Sequence, residues 1–266
     1  MSPGSRRVSG ELVRAYGSAH VEAEFEVVAH SRHGRGLLHE VEQLAPSFRA
    51  VLICGETGTG KTVLAKRLHA FSAHATSPLR VVNCAALSDA LLADLLWQLD
   101  DEATRADADH PARIILLDEV GELSPWGQAV LLRKLHCEPL GASARFIAAT
   151  HRDLDVMAAR GTFSRELLFR LCMARIAVAP LRTRRDDVVP LALHFLRLAL
   201  RASNTRFISV DPDLYLCLER YDWPGNVREL KNAIFNALAV NESGALCIAD
   251  LPDAVRATRG GSQRCQ

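Results

Sequence analysis

The sequence has no apolar run long enough to cross a bilayer, no closely spaced cysteine pair and no excess of either charge. Its 266 residues hold 32 basic and 31 acidic side chains, a formal net charge of +1. Bulk electrostatics therefore give no reason to expect the chain as a whole to bind nucleic acid. Seven cysteines, at 54, 84, 137, 172, 217, 247 and 265, form neither a CxxC pair nor a Cys/His cluster with ligand spacing. That argues against a disulfide framework or a zinc module and for reduced, mostly buried thiols. Residues 1–20 are small, polar and charged, unlike a secretory leader. The expected setting is the cytoplasm, with no membrane partner. Repeats are absent as well. What the chain does have is core material: 48% of it is hydrophobic, enough to bury a substantial interior and to exclude wholesale disorder.

That apolar material is organised. Val51–Cys54, Leu79–Cys84, Ile114–Leu117, Phe146–Thr150 and Arg175–Ala179 are short β-type runs. Continuous apolar strands imply burial on both faces, as in a parallel sheet covered by helices. Between them lie helical patterns: Leu64, Leu68 and Phe71 on one face of a helix starting near Thr62, and a helix after Ser88 whose apolar face includes Leu91, Leu92, Leu95 and Leu96. Ser124-Pro125 opens another, running through Leu131, Leu132 and Leu135. This alternation predicts a doubly wound α/β fold. From Pro180 the strand signals stop, and Val188–Leu200, Pro212–Arg220 and Val227–Val240 read as helices. Asp211-Pro212, and Asn226 with Glu229 three residues on, have the form of helix starts. The expected division is a flexible segment 1–20, an α/β subdomain 21–179, a helical subdomain 180–255 and a disordered tail 256–266.

One segment carries specific chemistry. Gly55-Glu56-Thr57-Gly58-Thr59-Gly60-Lys61-Thr62 has the spacing of a P-loop and lies between a predicted strand and a predicted helix. Glycines there let backbone N–H groups turn in around an anion at a helix N-terminus. Lys61 would neutralise the β and γ phosphates of ATP, and the Thr62 hydroxyl would ligate Mg2+. The second segment is Asp118-Glu119, delivered by the apolar run 114–117 to the sheet edge where ligands of open α/β sheets bind. Asp118 would hold the metal and Glu119 would act as base toward the attacking water.

Further motifs accompany these in order: VLICGETGTGKT, VVNCAAL, IILLDEVGELS, FIAATHRDL, PLRTRRDDV and YDWPGNVREL. Together, over about residues 25–255, they resemble the ATPase domain of bacterial sigma-54-dependent transcription activators. The resemblance implies a RecA-like AAA+ core with a parallel sheet flanked by helices, and a small all-helical lid. It also implies ring-shaped homo-oligomers, hexamers among them, and ATP hydrolysis at subunit interfaces. By position, Asn83 matches the residue that restrains the catalytic glutamate, and Arg228 the lid arginine that senses the γ phosphate. Arg170 matches an arginine finger reaching into the neighbour's site, and His151 stands at the sensor position after Thr150.

The chain also departs from that pattern. Thr62 replaces the family's usual glutamate, and His151 replaces an asparagine, so the charge at that position would follow pH. Phe163 is followed by Ser164, and an arginine comes one place late at Arg165. The GAFTGA loop that contacts sigma-54 is missing from the interval Leu95–Asp107, and the second family insertion is cut down to Cys137–Ser143. Direct remodelling of sigma-54 polymerase is therefore not expected. No helix-turn-helix follows Leu251-Pro252, so DNA contact belongs to a partner protein or to a longer form of the chain. Three readings stay open: a transcription-regulating ATPase acting on another partner, a low-turnover nucleotide-gated binding module, and an AAA+ remodelling enzyme outside transcription. Arg182, Arg184 and Arg185 are either a solvated turn or contacts to a neighbour's phosphates. Trp223 reads as lid packing, and His30, His33 and His39 as solvated.

Overall fold

The computed structural model describes residues 28–96, 113–137, 144–203, 209–241 and 244–257. Strands β1 (Ala50–Cys54), β2 (Leu79–Asn83), β3 (Arg113–Asp118), β4 (Ala144–Thr150) and β5 (Ala174–Ala177) form a five-stranded sheet in the order β2-β3-β4-β1-β5. Every pairing is parallel, as the continuous apolar runs predict. Ile114–Leu117 and Val51–Ile53, on the inner strands, are completely buried. The edge strand β5 keeps Arg175 and Ala177 exposed and ends at Ala177, before the end of its sequence pattern. Register aligns the C-terminal ends: Cys54 sits opposite Thr150 and Asn83 opposite Asp118. The residues that follow these strands therefore emerge along one edge.

The chain divides into two compact units. The first contains His39–Gly55 and Lys61–Val178, with the sheet, α2 (Lys61–Ala70), α3 (described over 89–96), α4 (Pro125–Cys137), α5 (Leu154–Ala159) and α6 (Arg165–Leu171). Its core gathers Leu52, Leu92, Leu96, Ile115, Leu117, Leu131, Phe146 and Leu167. Full burial of such side chains stabilises by roughly 1.5–3 kcal/mol each. Caps set the helix starts: the Ser124 hydroxyl accepts from Gly127 N–H at 2.9 Å, and the Ser88 hydroxyl from Leu91 N–H at 3.4 Å. Two sequence assignments fail here. Phe71 lies beyond the end of α2, 48% exposed, with Arg67 over its ring. Leu91 is 39% exposed, since α3 turns only Leu92 and Leu96 fully inward.

The second unit contains residues 28–38, Glu56–Gly60 and everything described from Ala179 on. The helices α7 (Val188–Ser203), α8 (Pro212–Arg220), α9 (Asn226–Val240) and α10 (Asp253–Arg256) close around Leu196, Leu214, Leu218, Trp223, Leu230 and Ile234. Trp223 is fully buried and donates from Nε1 to the Leu218 carbonyl at 2.8 Å, which is lid packing. Asp211 caps α8 by accepting from Asp213 N–H at 2.9 Å. A short parallel pair, β6 (Ser209–Val210) with β7 (Ala245–Leu246), adds two strands too brief to leave a periodic signal. Asn226 is not a cap. It has φ 54° and is fully buried, while Glu229 accepts from the N–H of Gly225, the residue before the helix, at 2.7 Å. The N-terminal segment 1–20, the interval from Trp97 to Asp107, most of 137–143 and the tail after Ala257 lie outside the described residues.

Candidate functional site

Lys61 opens α2, is almost wholly buried, and donates from Nζ to the Gly55 carbonyl at 2.9 Å. The Thr62 hydroxyl is 3.5 Å from Oδ2 of Asp118. Burial pushes the Asp118 carboxyl up, repulsion from Glu119 adds to it, and Lys61 and Thr62 pull the other way. A buried carboxylate beside a hydroxyl and an ammonium gains most from a further cation. Among the described residues no cluster of His, Cys, Asp and Glu is set up to hold a metal by itself, so any cation here would need phosphate or water oxygens as well.

The Asp118-Glu119 turn is unusual. Glu119 takes a left-handed backbone, φ 56° and ψ 48°, which a non-glycine residue adopts at a cost of order 1 kcal/mol. Its Oε2 lies 2.6 Å from Nδ1 of His151 and accepts from the His151 backbone N–H at 3.3 Å. Nε2 of the same ring is 3.9 Å from Glu122, and Arg152 pairs with Glu122 at 2.5 Å. Asn83, by contrast, uses its side-chain oxygen to accept from Ala85 N–H in its own turn at 3.0 Å. In this conformation the glutamate is held by His151 rather than by Asn83. Next to Asn83, burial drives the Cys84 thiol up to about 12, with Asp118 and Glu119 adding to it.

In the second unit, loop residues 56–60 are tied to the lid. Glu56 receives two bonds from Arg182, at 2.8 and 2.6 Å, and a third from Asn226 at 3.1 Å. These hold its carboxyl down at about 2. Asn226 also donates to the Thr57 carbonyl at 3.1 Å and accepts from Leu181 N–H at 2.8 Å. Buried Arg184 donates to the Thr59 carbonyl at 2.7 Å, and Arg228 N–H to the Gly58 carbonyl at 3.2 Å. A Cβ on Gly58, at φ 80°, would come within 2.3 Å of the Gly225 carbonyl; only glycine fits. Arg182 is thus an exposed partner of Glu56, Arg184 a buried contact to the loop, and Arg185 pairs with Asp222 at 2.5 Å. Sequence reading missed the role of Arg182 because its partner, Glu56, is a variable position of the P-loop pattern. The Arg228 side chain is exposed.

Arg170, on α6, donates to Nδ1 of His136 at 3.0 Å, and Nε2 of that ring is 2.7 Å from Glu166. Because an arginine can only donate, His136 accepts at Nδ1 and donates its Nε2–H to Glu166. Ser164, one place before Arg165, caps α6 by accepting from Leu167 N–H at 3.2 Å. Arg165 is exposed and directed to the Ala158 carbonyl at 3.5 Å.

Comparison with known proteins bears directly on this arrangement. Residues 27–177 match the model of the Sigma-54 interaction domain, and residues 182–265 that of the AAA+ ATPase lid domain. The transcriptional regulatory protein ZraR of Klebsiella oxytoca is 37% identical over 253 residues, covering 89% of this chain and 57% of that protein. The response regulator FleR of Pseudomonas aeruginosa is 39% identical over 234 residues, 82% of this chain and 50% of that protein. The crystal structure of NtrX from Brucella abortus in complex with ATP superposes with a TM-score of 0.75 at 27% identity, over 86% of this chain and 57% of that one. The chain thus spans a little over half the length of such relatives. A parallel P-loop sheet, a helical lid and these matches place the chain in the sigma-54 interaction domain family of AAA+ transcriptional regulators.

Proposed function

We propose that the chain is an ATPase module that binds ATP with Mg2+ through Gly55–Thr62 and turns it over to regulate transcription. The observation that carries the reading is the convergence of Lys61, Thr62, Asp118 and Glu119 at the C-terminal edge of one parallel sheet. Thr62 and Asp118 present the hydroxyl and carboxylate oxygens that a small hard cation prefers. Mg2+ held there would neutralise charge on the phosphates. Lys61 would exchange its bond to the Gly55 carbonyl for the phosphates, and Gly55, Glu56, Thr57, Gly58, Thr59 and Gly60 would supply backbone donors. Glu119 would accept the proton of the attacking water through the oxygen that His151 does not engage. Arg170 would enter a neighbouring copy's site and Arg228 would meet the γ phosphate. Asn83 remains the candidate restraint on Glu119 in a different state of the cycle.

The working assembly on this reading is a homo-oligomeric ring in the cytoplasm, with subdomains 21–179 and 180–255 and a transcription-machinery or DNA-binding protein as partner. The absence of a GAFTGA sequence points to a target other than sigma-54 gripped through that loop. One observation favours the second reading, a nucleotide-gated binding module of little turnover: Ser164 is committed to capping α6, so a finger arginine is not available there. Binding and turnover separate the two. Lys61→Ala should lose ATP binding by calorimetry, whereas Glu119→Gln should bind ATP and release no phosphate. Wild-type turnover no higher than that of Glu119→Gln, with ATP bound, would select the binding module.

A further inference from the structure

We infer that His151 is the positioning residue for the Glu119 carboxylate, doing in this chain what the Asn83 side chain does not do in the observed conformation. The inference rests on the reading of Glu119 as general base. Three observations converge. Both donors on Oε2 of Glu119, ring Nδ1 at 2.6 Å and backbone N–H at 3.3 Å, come from His151. Asn83 spends its side-chain oxygen on Ala85. On its far side the imidazole faces Glu122, with Nε2 at 3.9 Å from that carboxylate and Glu122 anchored by Arg152. The charged groups facing the ring are thus Glu119, Glu122 and, behind them, Arg152.

This chain of contacts has a chemical consequence. A glutamate on a left-handed backbone has its Cα–Cβ direction set by the turn. What remains to be fixed are its side-chain torsions, the last of them the rotation of the carboxyl group. Holding Oε2 fixes that rotation and leaves Oε1 to accept a proton, without the entropy cost of finding the orientation in each turnover. A general base must lie within hydrogen-bond reach of the proton it takes, so a swinging carboxylate loses rate without losing substrate affinity. His151 never touches the reacting atoms in this scheme; it acts through Glu119.

The test uses the full chain with two readouts. His151→Ala should lower kcat for ATP hydrolysis by about tenfold or more while leaving KM for ATP within about twofold, the signature of a group acting on the base rather than on binding. His151→Gln, which keeps a side-chain N–H donor, should recover part of that loss. An unchanged or raised kcat in a folded, ATP-binding His151→Ala protein overturns the inference. The second readout is independent of turnover: the NMR signal of the His151 ring N–H at one fixed pH, in wild type and in Glu119→Ala. Removing the carboxylate that accepts from Nδ1 should shift that signal or lose it to solvent exchange, and an unmoved signal overturns the pairing. If wild type shows no turnover while the ring N–H signal shifts in Glu119→Ala, the ATPase reading fails and the His151–Glu119 pairing stands.

Discussion

At the scale of single residues, the arginine–carboxylate pair in the second unit makes the clearest demand. Glu56 is held at about 2 by Arg182 and then by Asn226, below the usual carboxylate value near 4.3. A depressed carboxyl stabilises the fold above its unfolded value, and that contribution is lost as pH falls from about 4.5 toward 2. Wild type should therefore lose more stability between about pH 5 and about pH 3 than Glu56→Gln does. Urea midpoints at the two pH values compare them, and equal losses would show that the pair does not survive in solution. Solvent screening at this exposed site keeps the expected difference small. Cys84 provides a second residue-scale test. Its thiol is raised to about 12 by burial, and since the thiolate is the nucleophile, iodoacetamide at pH 8 should leave Cys84 unmodified in the folded protein. Peptide mapping that finds Cys84 alkylated at the rate of an unfolded thiol would contradict this.

At the scale of elements, α9 begins in a turn with Trp223 and Asn226 both at positive φ. Asn226→Ala removes the acceptor for Leu181 N–H and the donor to the Thr57 carbonyl. A buried backbone donor left without a partner should cost roughly 1–3 kcal/mol, read as a lower urea midpoint with an unchanged m-value. This residue also marks the limit of what sequence can tell. The Asn226/Glu229 spacing correctly locates a helix start, because Glu229 does reach back to a backbone N–H. It misassigns the asparagine, because capping is a local signal and the bonds to Leu181 and Thr57 span more than forty residues. The same division runs through the rest of the molecule. The five strands and the P-loop helix were legible, since periodicity and loop chemistry are set within a few residues. Phe71 and Leu91 were misplaced because helix phase at the final turn depends on what packs there. The grip of His151 on Glu119 was out of reach, since it requires knowing that β3 and β4 are neighbours.

At the scale of the whole molecule, the question is whether one chain can complete its own site. Arg170 sits on α6, directed to His136 and through it to Glu166, and beside it Phe169 is 82% exposed. A cation engaged by neutral imidazole can be withdrawn at little cost, because the histidine keeps its bond to Glu166 when the arginine leaves. If Arg170 serves the active site of another copy, base and finger belong to different chains. Two inactive variants should then restore one another. Glu119→Gln lacks the base but supplies Arg170, and Arg170→Ala lacks the finger but supplies Glu119. Around a ring built from one repeated head-to-tail interface, an equal mixture would complete roughly one site in four. Each variant alone should bind ATP and release almost no phosphate, while the mixture should recover turnover that rises with protein concentration. A mixture as inactive as its components, formed from variants that still assemble with one another, would mean that Arg170 acts within its own chain or not at all. Because each variant is first shown to bind ATP, lost nucleotide affinity could not produce that outcome, and the arrangement of base and finger would be what is under test.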